Sequence, residues 1–189
     1  MTEQELLVDC LRRLHAAGTT YMLTGSIASN LWGIPRSTHD LDFVIQLPPS
    51  QIPTFVETFR GDFYIDEAAV RAAYHPPYQF NVIDQRSALK ADFWLLRPVP
   101  FEQEMFSRRM KERVFGEDCW VATPEDVILH KLYWDRITPS ERQRGDAAGV
   151  YAVQRGRLDE VYLRRWAADL GISASLEDVL SGRIAPKTT

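Results

Sequence analysis

Asp40-Leu41-Asp42 runs straight into the apolar stretch Phe43-Val44-Ile45, so two carboxylates stand one residue apart at the entrance to a strand-like segment. Side chains alternate along a strand with period two, so an Asp-x-Asp on a strand puts both carboxylates on one face. Like charges held side by side cost stability, which points to a cation between them. Upstream, the short apolar run Tyr21-Met22-Leu23 ends near Gly25-Ser26, and thirteen residues separate Ser26 from Asp40.

The rest of the chain supplies a scaffold. At 189 residues, with 45% hydrophobic and 25% charged residues, it can bury a core of its own. Its net charge of −4 excludes a polycation built to coat nucleic acid. Seven arginines gather between residues 136 and 165, against Glu141, Asp146, Asp159 and Glu160. They form either a local basic patch for a polyanion or, more simply, a solvated helical face. Cys10 and Cys119 are far apart and lack metal-ligand spacing, which suits free thiols in a reducing compartment. The start, MTEQELLVDCLRRL, lacks a basic leader with an apolar block, and no apolar run has the length of a bilayer span. A cytoplasmic location is the default expectation.

Leu6, Leu7, Cys10, Leu11 and Leu14 predict an amphipathic helix over 3–17. Residues 27–32 predict a short helix with Ser26 as its N-cap, and 51–59 predict another. Strands are predicted at 21–23, 41–47, 63–65, 78–83, 91–96 and 119–122, the pair 78–83 and 91–96 forming a hairpin. Residues 101–113 read as a helix ending in a basic cluster. Thr123-Pro124-Glu125-Asp126 is a strong helix start, followed by helices at 124–136, 141–154, 158–169 and 176–181. The tail from Ala185 is expected to fray. The expected fold is α+β: a mixed β-sheet flanked by helices over residues 1–122, then a helical segment, 123–189, packed on that core.

These parts meet the needs of nucleotidyl transfer from a nucleoside triphosphate, which requires charge neutralisation and in-line placement more than covalent help. Magnesium or manganese held by carboxylates bridges attacking and leaving oxygens. A Gly-Ser turn at a helix N-terminus offers backbone N–H groups and a hydroxyl to phosphates, and glycine permits close approach. Gly25 and Ser26 are the candidates for that contact; Asp40 and Asp42 are candidate metal ligands. A third carboxylate, Asp92, lies in Lys90-Ala91-Asp92-Phe93-Trp94. If that strand pairs beside 41–47 the three converge, and Asp92 would hold metal and help deprotonate the acceptor hydroxyl.

With Gly-Ser, spacer, Asp-x-Asp and a later strand-borne Asp in view, the first two thirds resemble the nucleotidyltransferase superfamily typified by DNA polymerase β. Within it the chain is most similar to small bacterial AbiEii-toxin-like and minimal nucleotidyltransferases. Residues 123–132 resemble the helix after the core, whose Lys131 would point back at the triphosphate. Arg142-Gln143-Arg144-Gly145-Asp146 resembles an Arg-x-Lys-Asp element, with Gly145 where lysine is usual. The resemblance implies transfer of a nucleoside monophosphate to a hydroxyl on RNA, a protein or a small molecule such as an aminoglycoside, with ATP among the candidate donors. It also implies a toxin–antitoxin or phage-defence setting with a small protein partner.

Each residue also has a plainer explanation. Ser26 can be only a cap, Asp40 can answer Arg36, and Asp92 can pair with Lys90 or Arg97. Lys131 binds a triphosphate oxygen or pairs with Asp135 or Asp146. Arg36, Thr38, His39 and His75 fit loop roles, and Trp32, Trp94, Trp134 and Trp166 fit the core better than base stacking. An inactive nucleotide-binding or antitoxin-type module on the same fold is the competing functional class.

Overall fold

The computed structural model describes residues 1–186. In chain order the elements are α1 (Glu3–Ala16), β1 (Thr20–Thr24), α2 (Gly25–Trp32), β2 (Asp42–Gln46), α3 (Ile52–Phe59), β3 (Phe63–Tyr64), α4 (Glu67–Ala72), β4 (Gln79–Asp84), β5 (Lys90–Leu95), α5 (Pro100–Arg108), β6 (Met110–Val114), β7 (Glu117–Val121), α6 (Pro124–Ile137), α7 (Glu141–Gln154), α8 (Glu160–Asp169) and α9 (Ser173–Leu180). They fall into two compact units, residues 1–24 with 39–121, and residues 25–38 with 122–189. Residues 25–38, expected within the core, therefore group with the C-terminal helices. Ala185 and Pro186 carry no regular structure, and the remainder of the expected frayed tail lies outside the described residues.

The first unit holds a mixed sheet of order β3-β4-β5-β2-β1-β7-β6. The β2/β5 and β1/β7 pairs are parallel, and the other neighbours are antiparallel. Register puts Leu23, Phe43, Phe93 and Phe80 in one row across four strands. That face is the core: Phe93 stacks on Phe43 and meets Phe55 and Phe59 of α3 edge-on, with centroids 5.3–5.6 Å apart. α1 begins with a capping box, Thr2 and Glu5 each bonding the other's backbone N–H. It buries Leu6, Leu7, Cys10, Leu11 and Leu14, the stripe its spacing predicts. Both cysteines are free and buried, and burial pushes the Cys119 thiol up to about 12.

Three expectations change. The helix over 101–113 stops at Arg108, and Met110–Val114 is the edge strand β6, paired with β7 through a turn at Phe115-Gly116. An edge strand buries little; here only Val114 is buried, so no apolar alternation marks it. Helix α2 starts at Gly25, so Ser26 lies inside its first turn and is not its N-cap. Asp40 precedes β2, because the antiparallel ladder with β1 ends at the Thr24–Asp42 pair and the next residue, Gly25, opens a helix. Helix α4, capped by Asp66, was not foreseen.

In the second unit, α6 starts as its sequence predicts, with Thr123 accepting from the Asp126 N–H and Pro124 in the first turn. Asp126 is fully buried and accepts from Thr123 Oγ1 at 2.7 Å and Tyr162 OH at 2.5 Å, which ties α6 to α8. Trp32 Nε1 donates to the Ala122 carbonyl at 2.7 Å, anchoring α2 at the mouth of α6. Several of the clustered arginines are taken up within this unit: Arg144 pairs with Asp135, Arg164 with Glu160 and Glu177, and Arg165 lies over the Trp166 ring. Among the described residues no helix is long and apolar enough to cross a membrane.

Candidate active site

The face of the sheet opposite the phenylalanine core is polar in one row. Register aligns Thr24 of β1, Asp42 of β2, Asp92 of β5 and Asn81 of β4 directly across four strands. Asp42 and Asp92 are neighbours on adjacent parallel strands, and the Asp92 N–H donates to the Leu41 carbonyl at 2.8 Å. Two of the three expected carboxylates are thus brought together by strand pairing, although they stand fifty positions apart in the chain. Asp40 lies outside the ladder, two residues before Asp42, and its charge acts on Lys90.

Cations and donors already address this row. Lys90 lies two residues before Asp92 on β5, on the same face, and its Nζ reaches both Asp92 oxygens at 2.8 and 3.1 Å. The hydrogen bond to Asp92 raises the Lys90 ammonium above the usual lysine range; partial burial opposes this, and the charges of Asp92, Asp40 and Asp42 add to it. Trp94 continues the same face and its Nε1 stands 3.5 Å from Asp42 Oδ1. Thr24 Oγ1 is buried, with 3% of the residue exposed, and has no hydrogen-bond partner. A buried hydroxyl without a partner costs free energy, and its place beside Asp42 extends the oxygen set of the row.

The chemistry of this set suits a hard divalent cation: the donors are all oxygens, and the charge field draws an ammonium onto them. Among the described residues, no group of three or more His, Cys, Asp or Glu stands ready to hold a metal ion. Magnesium keeps several of its waters and is commonly held by one or two carboxylates together with substrate phosphates, so Asp42 and Asp92 are the residues that would hold it.

The other candidates belong to the second unit. Gly25 opens α2 with φ of +64°, a conformation that glycine adopts without strain. Ser26 is buried, and its Oγ accepts from Arg36 Nη2 at 2.9 Å. Arg36 also forks onto Asp146, with Nε and Nη2 each 2.7 Å from a carboxylate oxygen. Lys131 Nζ is 2.8 Å from Asp146 Oδ2 and the residue is 6% exposed, so Lys131 pairs with Asp146. Burial would lift the Asp146 carboxyl, but hydrogen bonds from Arg36 and the charge and hydrogen bond of Lys131 hold it below the usual carboxylate range. Sequence reading placed Arg36 as a loop residue; its pairing with Asp146, 110 positions away, left no local signal.

The chain has the nucleotidyltransferase-like fold. No protein-family model matches it, and no curated protein is similar to it in sequence at a meaningful level. Among solved structures it resembles ANT(2'')-Ia, an antibiotic-resistance factor studied in solution, with a TM-score of 0.60 and 14% identity over 95% of this chain and 97% of that one. It also resembles an antigenic nucleotidyltransferase-like protein from Paracoccidioides brasiliensis, with a TM-score of 0.54 and 14% identity over 98% of this chain and 94% of that one. At such identity the likeness is one of fold.

Proposed function

We propose that this chain is a magnesium- or manganese-dependent nucleotidyltransferase that moves a nucleoside monophosphate from a nucleoside triphosphate to a hydroxyl on RNA, a protein or a small molecule. The observation that carries this reading is the side-by-side placement of Asp42 and Asp92 on parallel strands of a nucleotidyltransferase-like fold. A retired scaffold has no need to keep two carboxylates in register beside an unpartnered hydroxyl.

Asp42 and Asp92 would hold the cation, together with Asp40, two residues before Asp42; bound there, it would neutralise phosphate charge and orient the α-phosphate. Asp92 takes the proton of the acceptor hydroxyl. The acceptor oxygen then bonds to the α-phosphorus as the bond to the pyrophosphate oxygen breaks, and pyrophosphate leaves. Within the second unit, Gly25 and the N-terminus of α2 are the candidates for phosphate contact, through backbone N–H groups. Arg36 uses a lone pair of Ser26 Oγ, which leaves the hydroxyl hydrogen for a phosphate oxygen.

The likeness to an antibiotic-resistance factor keeps small molecules among the acceptors. A place in a toxin–antitoxin or defence pair rests on the motif resemblance alone, and co-purification with a small protein partner tests it. One observation favours the competing class, an inactive module: Lys90 sits on Asp92 as a ready-made counter-ion. Incubation with each α-labelled nucleotide and magnesium, against total RNA, against protein and against aminoglycosides, separates the two. Label transfer with pyrophosphate release is expected, falling at least about a hundredfold in Asp42→Asn and in Asp92→Asn. Absence of turnover with every nucleotide and acceptor, or full turnover in both variants, contradicts the assignment.

A further inference from the structure

The carboxylate row carries two features that its sequence motif does not explain: an ammonium seated on both oxygens of Asp92, and a buried threonine hydroxyl, opposite Asp42, with no partner. The Asp92 side chain is only 10% exposed, so it needs a counter-charge at all times, whether or not a ligand is present. The Lys90 side chain is 48% exposed on a flexible stem, so its head can move into water at little cost. A divalent ion on the same oxygens would stand within a few ångströms of that ammonium, and the two would repel. Thr24 Oγ1 supplies a polar atom that the lysine does not use.

We propose that Lys90 is the resident cation of this site, and that a divalent ion enters by displacing it from Asp92 and adding Thr24 to the oxygen set, so that ion binding is an exchange. The inference rests on the functional reading above, because it takes the Asp42–Asp92 pair to be an ion site. Lys90 then acts as a positioning residue: it holds Asp92 in place without ligand and weakens the affinity for the ion. It touches no reacting atom.

Calorimetric titration of the full chain with manganese chloride tests this without any turnover. Lys90→Met removes the competitor, and Lys90→Gln is the second variant should the first fold poorly; melting followed by circular dichroism checks both. The expected result is manganese affinity roughly tenfold tighter than wild type in each variant, lost in Asp42→Asn, and weakened in Thr24→Val. Wild-type binding with equal or weaker affinity in both Lys90 variants overturns the exchange and makes the lysine a structural brace, while the ion site stands. Binding that persists in Asp42→Asn, or no binding in wild type and both Lys90 variants, overturns the ion site itself and the exchange with it.

Discussion

A carboxylate with a 5% exposed side chain, held by a forked guanidinium and an ammonium, dominates the electrostatics of the second unit. Removing one partner from a buried ion cluster is costly, because the remaining charges stay out of water without compensation. Asp146→Ala should lower unfolding free energy by roughly 3–5 kcal/mol, measured by urea denaturation. The pH dependence follows from the same group. Its folded-state pKa is depressed, so the unfolded chain binds more protons in the window between the two values. The stabilisation from Asp146 is therefore complete above the unfolded carboxylate value, near pH 4, and is lost as pH falls through the folded value. Acid titrations of wild type and Asp146→Asn should differ in slope below about pH 4 and run parallel above it. Parallel curves throughout would show that the carboxylate carries no depressed pKa.

At the scale of elements, close approach fixes the end of α2 against α7 alongside the Arg36 bridge from Ser26 to Asp146. A Cβ added at Gly33 would stand 2.7 Å from Val150 N and 2.9 Å from both Gly149 C and Ser29 O, all backbone atoms that cannot rotate away. Gly33→Ala should destabilise by about 1–3 kcal/mol through overpacking, seen as a lower melting temperature; an unchanged melt would mean the helices part without cost. The same packing explains why residues 25–38 do not follow the chain division that sequence suggests. Helices with complete local signals were legible: the Thr123 cap, the Pro124 start, and the apolar stripe of α1. Strand β6 was not, because Lys111, Glu112 and Arg113 at a sheet edge need no buried side and read equally as a helical surface. Ser26 read as a cap because the residue type allows it; its actual partner, Arg36, is chosen by tertiary pairing.

For the whole molecule, the candidate site was legible as residue types and illegible as contacts. Asp42 and Asp92 could be named because a carboxylate among apolar strand residues has no packing reason to be there. The adjacency of Asp42 and Asp92, and the place of Thr24 beside them, depend on the register of β1, β2 and β5, whereas the Lys90–Asp92 pair lies within one strand and was legible from its spacing. Asp40 read as a strand partner of Asp42, and the end of the β1 ladder removes that alternation. The fold similarity supports the chemistry only at the level of architecture, so the ion site carries the functional reading. Diffraction at the manganese absorption edge, from crystals grown with manganese and a non-hydrolysable nucleoside triphosphate, tests it most directly. An anomalous peak bridging the carboxylates of Asp42 and Asp92, with Lys90 swung away, is the expected result; a bound triphosphate with no metal at that pair would contradict it.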